Sequence, residues 1–209
     1  MDIKKIINQH HDMFSNAIKN TKFYIAQDQV SEEIWFDLAL KHIRLIKHSG
    51  KSLFFLGNGA SASIADHFAT DFTKNGMLPC FSNTESALLT CFSNDYSYEN
   101  AYAEILKRKM KDGDGLFVIS SSGRSQNLIK AADYVKNHYL SSPIFTFTGF
   151  DKSNPLKEYG SYNLFTDTGE YSIAESAHAY FLHLLIDLFC GQTNSIKNNL
   201  ESKCQTNIV

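Results

Sequence analysis

The stretch FFLGNGASASIADHFATDF, residues 54–72, decides how the rest of the chain is interpreted. It passes from an apolar run through two glycines and several small hydroxyl residues into a segment with helical spacing. Glycine lets a backbone approach a ligand closely, and the free N–H groups at a helix start can bind phosphate. The pattern is typical of a strand, a phosphate-binding turn and a helix. A plain loop before a buried helix has the same letters, so this stretch alone leaves both interpretations open.

A second turn of the same kind follows the apolar run GLFVI. It reads SSSGRS, residues 120–125, and holds four serines in six positions. In open α/β sheets, ligands bind at the carboxyl ends of the strands, where we expect both loops to lie. Neither loop contains the GxxxxGK[ST] or the GxGxxG pattern of nucleotide sites. The two loops therefore favour a phosphorylated metabolite and argue against a nucleotide cofactor.

The sequence around these loops alternates between short apolar runs and segments with helical periodicity. Such alternation predicts βαβ units, and hence an α/β fold with a mostly parallel sheet covered on both faces. Strands are predicted at 52–57, 79–82, 115–122, 143–149 and 161–166, and helices at 61–74, 97–111, 124–138, 153–159 and 172–190.

Three regions are predicted along the chain. Residues 1–50 read as amphipathic helices that serve in packing or oligomerisation, the second helix starting at Ser31. Residues 51–192 form the α/β domain, and residues 193–209 form a polar C-terminal tail. The length of 209 residues suits one large domain.

Composition narrows the possible partners and the compartment. The chain has 20 basic and 22 acidic residues and a net charge of −2, which offers no field for nucleic acid or an anionic membrane. Its four cysteines lack CxxC spacing and read as reduced thiols. The N-terminus lacks a signal-peptide core, and we expect no apolar run long enough to span a bilayer. These features predict a cytoplasmic protein.

Two predicted helices carry titratable groups. His67 and Asp71 are spaced i, i+4 after the first loop, so they share one helix face. A surface pair is the plain alternative. Glu175, His178 and His183 interrupt the otherwise apolar last helix, where a buried charge without a partner is costly. A lone histidine there is usually a core residue, but the three together suggest a task.

In the order and spacing of these motifs, the chain resembles the SIS (sugar isomerase) domain proteins and, within them, the sedoheptulose 7-phosphate isomerases (phosphoheptose isomerases). The resemblance covers nearly the whole chain, including CFSND at 91–95 and IFTFTGFD at 144–151. It implies a three-layer sandwich with a five-stranded parallel sheet flanked by helices. It also implies a homotetramer with active sites at subunit interfaces.

The resemblance further implies roles for single residues. Asp71 matches the family's catalytic base and His183 its acid, in an aldose–ketose isomerisation through an enediol. The implied substrate is sedoheptulose 7-phosphate, used to make heptose for lipopolysaccharide or capsule. Some members bind zinc, at positions that match His67, Asp71, Glu175 and His183. The implied substrate-binding positions are Asn58, Gly59, Ser61, Asn94, Asp95, Ser120, Ser121, Ser122, Ser125 and Glu175.

The chain departs from the family pattern at several of these positions. Ala60 stands for a glycine, Asp71 for a glutamate and Glu175 for a glutamine, while Arg124 replaces a common asparagine and adds a charge near the phosphate. These changes leave open another sugar phosphate, such as an amino or deoxy sugar. A non-catalytic SIS module that binds a phosphosugar, or a protein such as the bacterial replication initiator, is the alternative. His183 and the carboxylate at 71 favour the enzyme.

Overall fold

The sheet contains seven strands in the computed structural model, which describes residues 1–191. The predicted tail at 193–209 and residue 192 lie outside the described residues. The strand order is β2-β1-β7-β6-β5-β3-β4. The strands are β1 (Lys22–Ile25), β2 (Asp28–Val30), β3 (Leu53–Gly57), β4 (Cys80–Phe81), β5 (Gly115–Ser120), β6 (Ile144–Gly149) and β7 (Tyr162–Thr166).

Strands β3 to β7 run parallel to one another, which confirms the α/β class and the five predicted parallel strands. The two additional strands, β1 and β2, form an antiparallel hairpin that pairs with β7. The sequence analysis assigned this hairpin to the helical N-terminal region, and that assignment was wrong for residues 22–30. Pairing with the free edge of β7 outweighs the weak local periodicity of so short a segment.

Seven α-helices and one 3-10 turn surround the sheet within the described residues. Ser31 caps α2 as predicted, since its hydroxyl accepts a hydrogen bond from the N–H of Ile34. Helix α4 was missed, and the helix predicted at 153–159 is only the 3-10 turn Pro155–Glu158. The helices are α1 (Ile3–Asn20), α2 (Glu32–His48), α3 (Ala60–Lys74), α4 (Ser86–Tyr96), α5 (Tyr98–Lys109), α6 (Gln126–His138) and α7 (Tyr171–Cys190).

Alternate side chains of the strands build two separate cores. On β3, Phe55 packs with α2, α3 and α7, whereas Phe54 and Leu56 pack with α5 and α6 on the other face. Because helices cover both faces, every residue of β3, β5, β6 and β7 is buried. This arrangement makes the three layers of the sandwich.

The strand order reverses between β3 and β5. The chain leaves β3 for β4 on one side and returns to β5 on the other. The two strands are neighbours in register, with Gly57 opposite Ile119. The loops that follow them therefore emerge side by side at the carboxyl edge of the sheet, where open α/β folds place their ligands.

Helix α7 is the described segment with the length and hydropathy of a membrane span. The expectation that no apolar run approaches that length was therefore wrong. Its apolar side chains lie in the core, however, where Phe181, Leu182 and Leu185 are at most 1% exposed. The length and hydropathy of α7 follow from its position as a core helix.

Candidate active site

A cavity of about 290 Å³ opens between the two loops at the carboxyl edge. The loop after β3, the serine loop at 120–125 and the start of α7 form its walls. Eight of the predicted substrate-binding residues line it: Asn58, Gly59, Ser61, Ser120, Ser121, Ser122, Ser125 and Glu175. Tyr171, which the sequence analysis did not single out, also lines the cavity.

Two glycines shape the loop after β3. Gly59 has φ +56°, a conformation that glycine adopts without strain. At Gly57, a Cβ would lie 2.3 Å from the carbonyl oxygen of Ser61, so no larger residue fits. Helix α3 starts directly after Gly59 and has no side-chain cap. An uncapped helix start beside a cavity is suited to an anion.

The serine loop places hydroxyl groups deep in the cavity wall. Ser120 and Ser121 are each 5% exposed. The Ser120 hydroxyl accepts a hydrogen bond from the Gly123 N–H at 3.1 Å, whereas the Ser121 hydroxyl has no partner within residues 1–191. Leaving a buried hydroxyl without a hydrogen bond costs free energy. Because Ser121 lines the cavity, a ligand oxygen could supply the missing partner.

A hydrogen-bond network fixes Asn58. Its amide and that of Asn127 exchange two hydrogen bonds of 2.9 Å, and the Tyr98 hydroxyl donates to Asn58 Oδ1 at 2.8 Å. Tyr102 also donates to the carbonyl of Gly57 at 2.7 Å. Asn127, which is 2% exposed, was not predicted as a site residue. Its only signal in the sequence is an amide two residues after the serine loop.

The cavity wall contains no lysine or arginine among the described residues. Arg124, predicted to add charge near the phosphate, instead pairs with the Asp151 carboxylate. Hydrogen bonds from the Ser153 N–H and hydroxyl, together with Arg124, lower the pKa of Asp151 to about 2. Backbone N–H groups and hydroxyls are therefore the hydrogen-bond donors that this cavity offers to an anion.

A second group of predicted residues forms a three-residue cluster. The donor atoms of His67, Asp71 and His183 all lie within 4.8 Å of one another, with 3.3 Å between His67 Nε2 and Asp71 Oδ2. Donors bound to one zinc ion stand about 3.3 Å apart in a tetrahedral site, so small side-chain rotations would suffice. Two imidazoles and a carboxylate are also a chemically suitable set for zinc.

The cluster and the cavity occupy different parts of the chain. Asp71 lies eleven residues beyond the start of α3, about 16 Å along the helix axis. Glu175 lines the cavity and does not join the cluster, since eight residues, about 12 Å of helix, separate it from His183. Asn94 and Asp95 are exposed on α4 and do not line the cavity.

His178 is a buried core residue, as expected for a lone histidine on an apolar helix. Its side chain is fully buried, and its Nε2 lies 3.1 Å from the carbonyl oxygen of Thr148 on β6. Burial lowers its pKa to about 4, so the imidazole is neutral at neutral pH. It joins α7 to β6 and takes no part in the cluster.

Known proteins share the sequence motifs of this chain. The SIS domain family profile matches residues 26–141. A phosphoheptose isomerase from Helicobacter pylori (strain ATCC 700392 / 26695) is 31% identical over 190 residues, which cover 84% of this chain and 95% of that protein. One from Colwellia psychrerythraea is 27% identical over 183 residues, 82% of this chain and 92% of that protein.

Solved structures share the fold. A phosphoheptose isomerase from Neisseria gonorrhoeae superposes with a TM-score of 0.75 at 22% identity, covering 90% of this chain and 99% of that one. One from Francisella tularensis gives a TM-score of 0.77 at 21% identity, covering 92% of this chain and 100% of that one.

Proposed function

The chain belongs to the SIS domain family, and on that premise we propose that it is a phosphosugar isomerase that converts sedoheptulose 7-phosphate to D-glycero-D-manno-heptose 7-phosphate. The observation that carries the proposal is the cavity at the switch point of the sheet. There, the unpartnered hydroxyl of Ser121 and the uncapped start of α3 meet. Such a site favours a phosphate group. The named relatives support the seven-carbon sugar.

The proposed chemistry moves a proton between the first two carbons of the sugar. The Asp71 carboxylate removes a proton from the carbon next to the carbonyl, and His183 donates a proton to the carbonyl oxygen, which gives the enediol. Return of the proton from Asp71 to the former carbonyl carbon, with loss of the proton from the other enediol hydroxyl to His183, completes the isomerisation. Asp71 is half-buried and His183 is exposed, so both are accessible to substrate. In the metal-assisted alternative, zinc held by His67, Asp71 and His183 would polarise the substrate oxygens in place of the proton from His183.

We also infer a cytoplasmic homo-oligomer, a tetramer in the simplest case, that supplies heptose for lipopolysaccharide or capsule. Helix α1 supports an oligomer, because Ile3, Ile6, Ile7 and Met13 are 41–61% exposed and Ala17 is its single buried residue. The distance along α7 between cavity and cluster supports it too. A cluster from a neighbouring subunit, facing this cavity, would complete the site.

Direct turnover tests the proposal. Purified protein is incubated with sedoheptulose 7-phosphate, with and without zinc, and the product is followed by NMR or mass spectrometry. We expect Asp71→Asn and His183→Ala to abolish turnover. The matched surface variants Asp133→Asn and His138→Ala, both on exposed positions of α6, should keep it.

The outcomes separate the alternatives. Absence of turnover of this or any other ketose phosphate, with or without zinc, would refute the isomerase. If sugar phosphates still raised the melting temperature in that case, the non-catalytic binding module would be supported. Full activity of His183→Ala would refute its role as the acid. Metal analysis of wild type and His67→Ala tests the zinc site independently of activity.

A further inference from the structure

The serine loop rests on the segment that follows β6. We call residues 149–156 the β6 brace. The N–H of Gly149 donates to the carbonyl of Ser121 at 2.9 Å, and the N–H of Leu156 donates to the carbonyl of Gly123 at 3.2 Å. These two backbone hydrogen bonds connect the two ends of the brace to the middle of the serine loop.

The side chain of Asn154 lies directly against Gly123 of the serine loop. Gly123 has φ +62°, and a Cβ on it would lie 2.1 Å from Asn154 Oδ1. Two separate reasons therefore require glycine at position 123: its positive φ disfavours other residues, and the side chain of Asn154 leaves no room for a Cβ. Asn154 itself is 2% exposed. The shape of the serine loop at Gly123 is thus fitted to one buried amide.

The amide of Asn154 is held by its own surroundings. Its Nδ2 donates to the carbonyl of Asp151 at 2.8 Å and to the hydroxyl of Thr148 at 3.2 Å. Its Oδ1 accepts a hydrogen bond from the N–H of Lys157 at 3.3 Å. Because these bonds occupy the amide, Asn154 does not act as a ligand-binding group. Its contact with Gly123 can instead hold the serine loop in place.

The brace starts with a turn that a bulky residue rarely adopts. Phe150 has φ +64°, and the N–H of Asp151 donates to the carbonyl of Gly149 at 2.8 Å across it. The Phe150 ring packs edge-to-face with the ring of Tyr171 in the cavity wall, with 4.6 Å between the ring centroids. Asp151 pairs with Arg124 of the serine loop. Such strain persists where the surrounding structure imposes it, and it concentrates at functional sites.

We propose that Asn154 is a positioning residue for phosphate binding, which acts through Gly123 to keep the serine loop in its binding shape. The inference rests on the proposed phosphate site but not on the length of the sugar. Donors that are already in place bind an anion without reorganisation. Loss of the amide should therefore weaken phosphate binding and raise KM, and should leave kcat unchanged because other residues carry out the chemistry.

Asn163 provides a matched control at the opposite, amino edge of the sheet. It is 0% exposed, and its Nδ2 donates to the carbonyls of Ala26 and Gly160 at 2.7 and 3.1 Å. A Cβ on Gly160 would lie 1.9 Å from Asn163 Oδ1. Asn163→Ala therefore removes a buried amide beneath a glycine, as Asn154→Ala does, but away from the cavity.

The experiment measures inorganic phosphate binding by calorimetry, KM and kcat for sedoheptulose 7-phosphate, and melting temperature. Both alanine variants should melt earlier than wild type. Asn154→Ala should also weaken phosphate binding and raise KM about tenfold, the loss that one unsatisfied buried polar contact typically causes. Asn163→Ala should leave both unchanged. Equal phosphate affinity in the two variants would overturn the proposal, and so would a loss in Asn154→Ala confined to kcat.

Two further results keep the test decisive. If Asn154→Ala does not fold, Asn154→Ser removes the amide with a smaller loss of packing, and the same comparison applies. A wild-type protein that binds phosphate but turns over no sugar refutes the proposed isomerase while the phosphate comparison still decides the role of Asn154. A wild-type protein that binds no phosphate overturns both.

Discussion

Acidification should destabilise the fold through His178. Among the described residues its buried Nδ1 has no hydrogen-bond partner, and the Phe147 ring stands nearly perpendicular to the imidazole, with 6.1 Å between ring centroids. A proton on Nδ1 would place a charge in this apolar surrounding, which is why burial lowers the pKa to about 4. The carbonyl of Thr148 is the one hydrogen-bond partner of the ring among the described residues.

The direction and size of the effect follow from the two pKa values. Unfolded chains bind the proton near pH 6.5, whereas the folded protein binds it only near pH 4. The stabilisation is therefore fully present above about pH 6.5 and is lost as the pH falls towards 4. A difference of about 2.5 pKa units corresponds to about 3 kcal/mol in total, of which about 2 kcal/mol is lost by pH 4.5.

Chemical denaturation at pH 7.0 and pH 4.5 measures this loss in wild type and in His178→Gln. Glutamine keeps an N–H donor for the Thr148 carbonyl but does not titrate. Wild type should lose about 2 kcal/mol more free energy of unfolding than the variant. Carboxylates such as Asp151, whose pKa is lowered to about 2, contribute equally to both proteins and cancel in the difference. An equal loss in both proteins would refute the reasoning.

Three other variants test separate parts of the site and the surface. Asn127→Ala should raise KM about three- to tenfold in steady-state kinetics, because Asn58 loses its reciprocal partner; an unchanged KM contradicts this. Ser121→Ala should weaken phosphate binding in calorimetry without lowering the melting temperature, since its hydroxyl has no partner in the described part of the chain; unchanged affinity argues against the phosphate site. Ile6→Ser with Ile7→Ser should shift light-scattering mass to smaller species while circular dichroism stays the same, and an unchanged mass counts against α1 as an interface.

The parallel sheet is predictable from sequence because each of its strands is a short buried run. SLFFLG and GLFVI are apolar on both faces, and helices cover both faces in the structure. The two Gly- and Ser-rich turns that follow these strands predict the site only as a pair, because each turn alone is also typical of a plain loop. The i, i+4 spacing of His67 and Asp71 likewise gives their shared helix face without knowledge of the fold.

The remaining features depend on contacts between distant segments. The β1–β2 hairpin exists because β7 offers a free edge far away in the chain. Ile25 pairs with Tyr162, 137 positions later, and Lys22 pairs with Phe165, 143 positions later. In the sequence, nothing distinguishes Asn127 and Asn154 from other polar residues. The fold buries Asn127 beside Asn58 and Asn154 beside Gly123. No local pattern marks a buried amide as part of a site.

The separation of Glu175 from the three-residue cluster could not be predicted from residue types either. The E-x-x-H-x-x-x-x-H spacing allows both ends to serve one ion only if a side chain spans about 12 Å of helix. In the structure Glu175 faces the cavity, while His183 meets His67 across the α3–α7 contact, with ring centroids 5.1 Å apart. Which residues share a centre is a matter of helix packing.

The two outermost strands of the sheet are also its shortest. The strand β2 has three residues and β4 has two, so each outer edge offers few unpaired backbone groups. An exposed edge is the usual template on which sheets of separate molecules join. Here both edge strands are very short, so copies of this chain have little free backbone with which to extend one another's sheets. Growth of one continuous sheet from copy to copy is therefore disfavoured, and the sheet stays within a single chain.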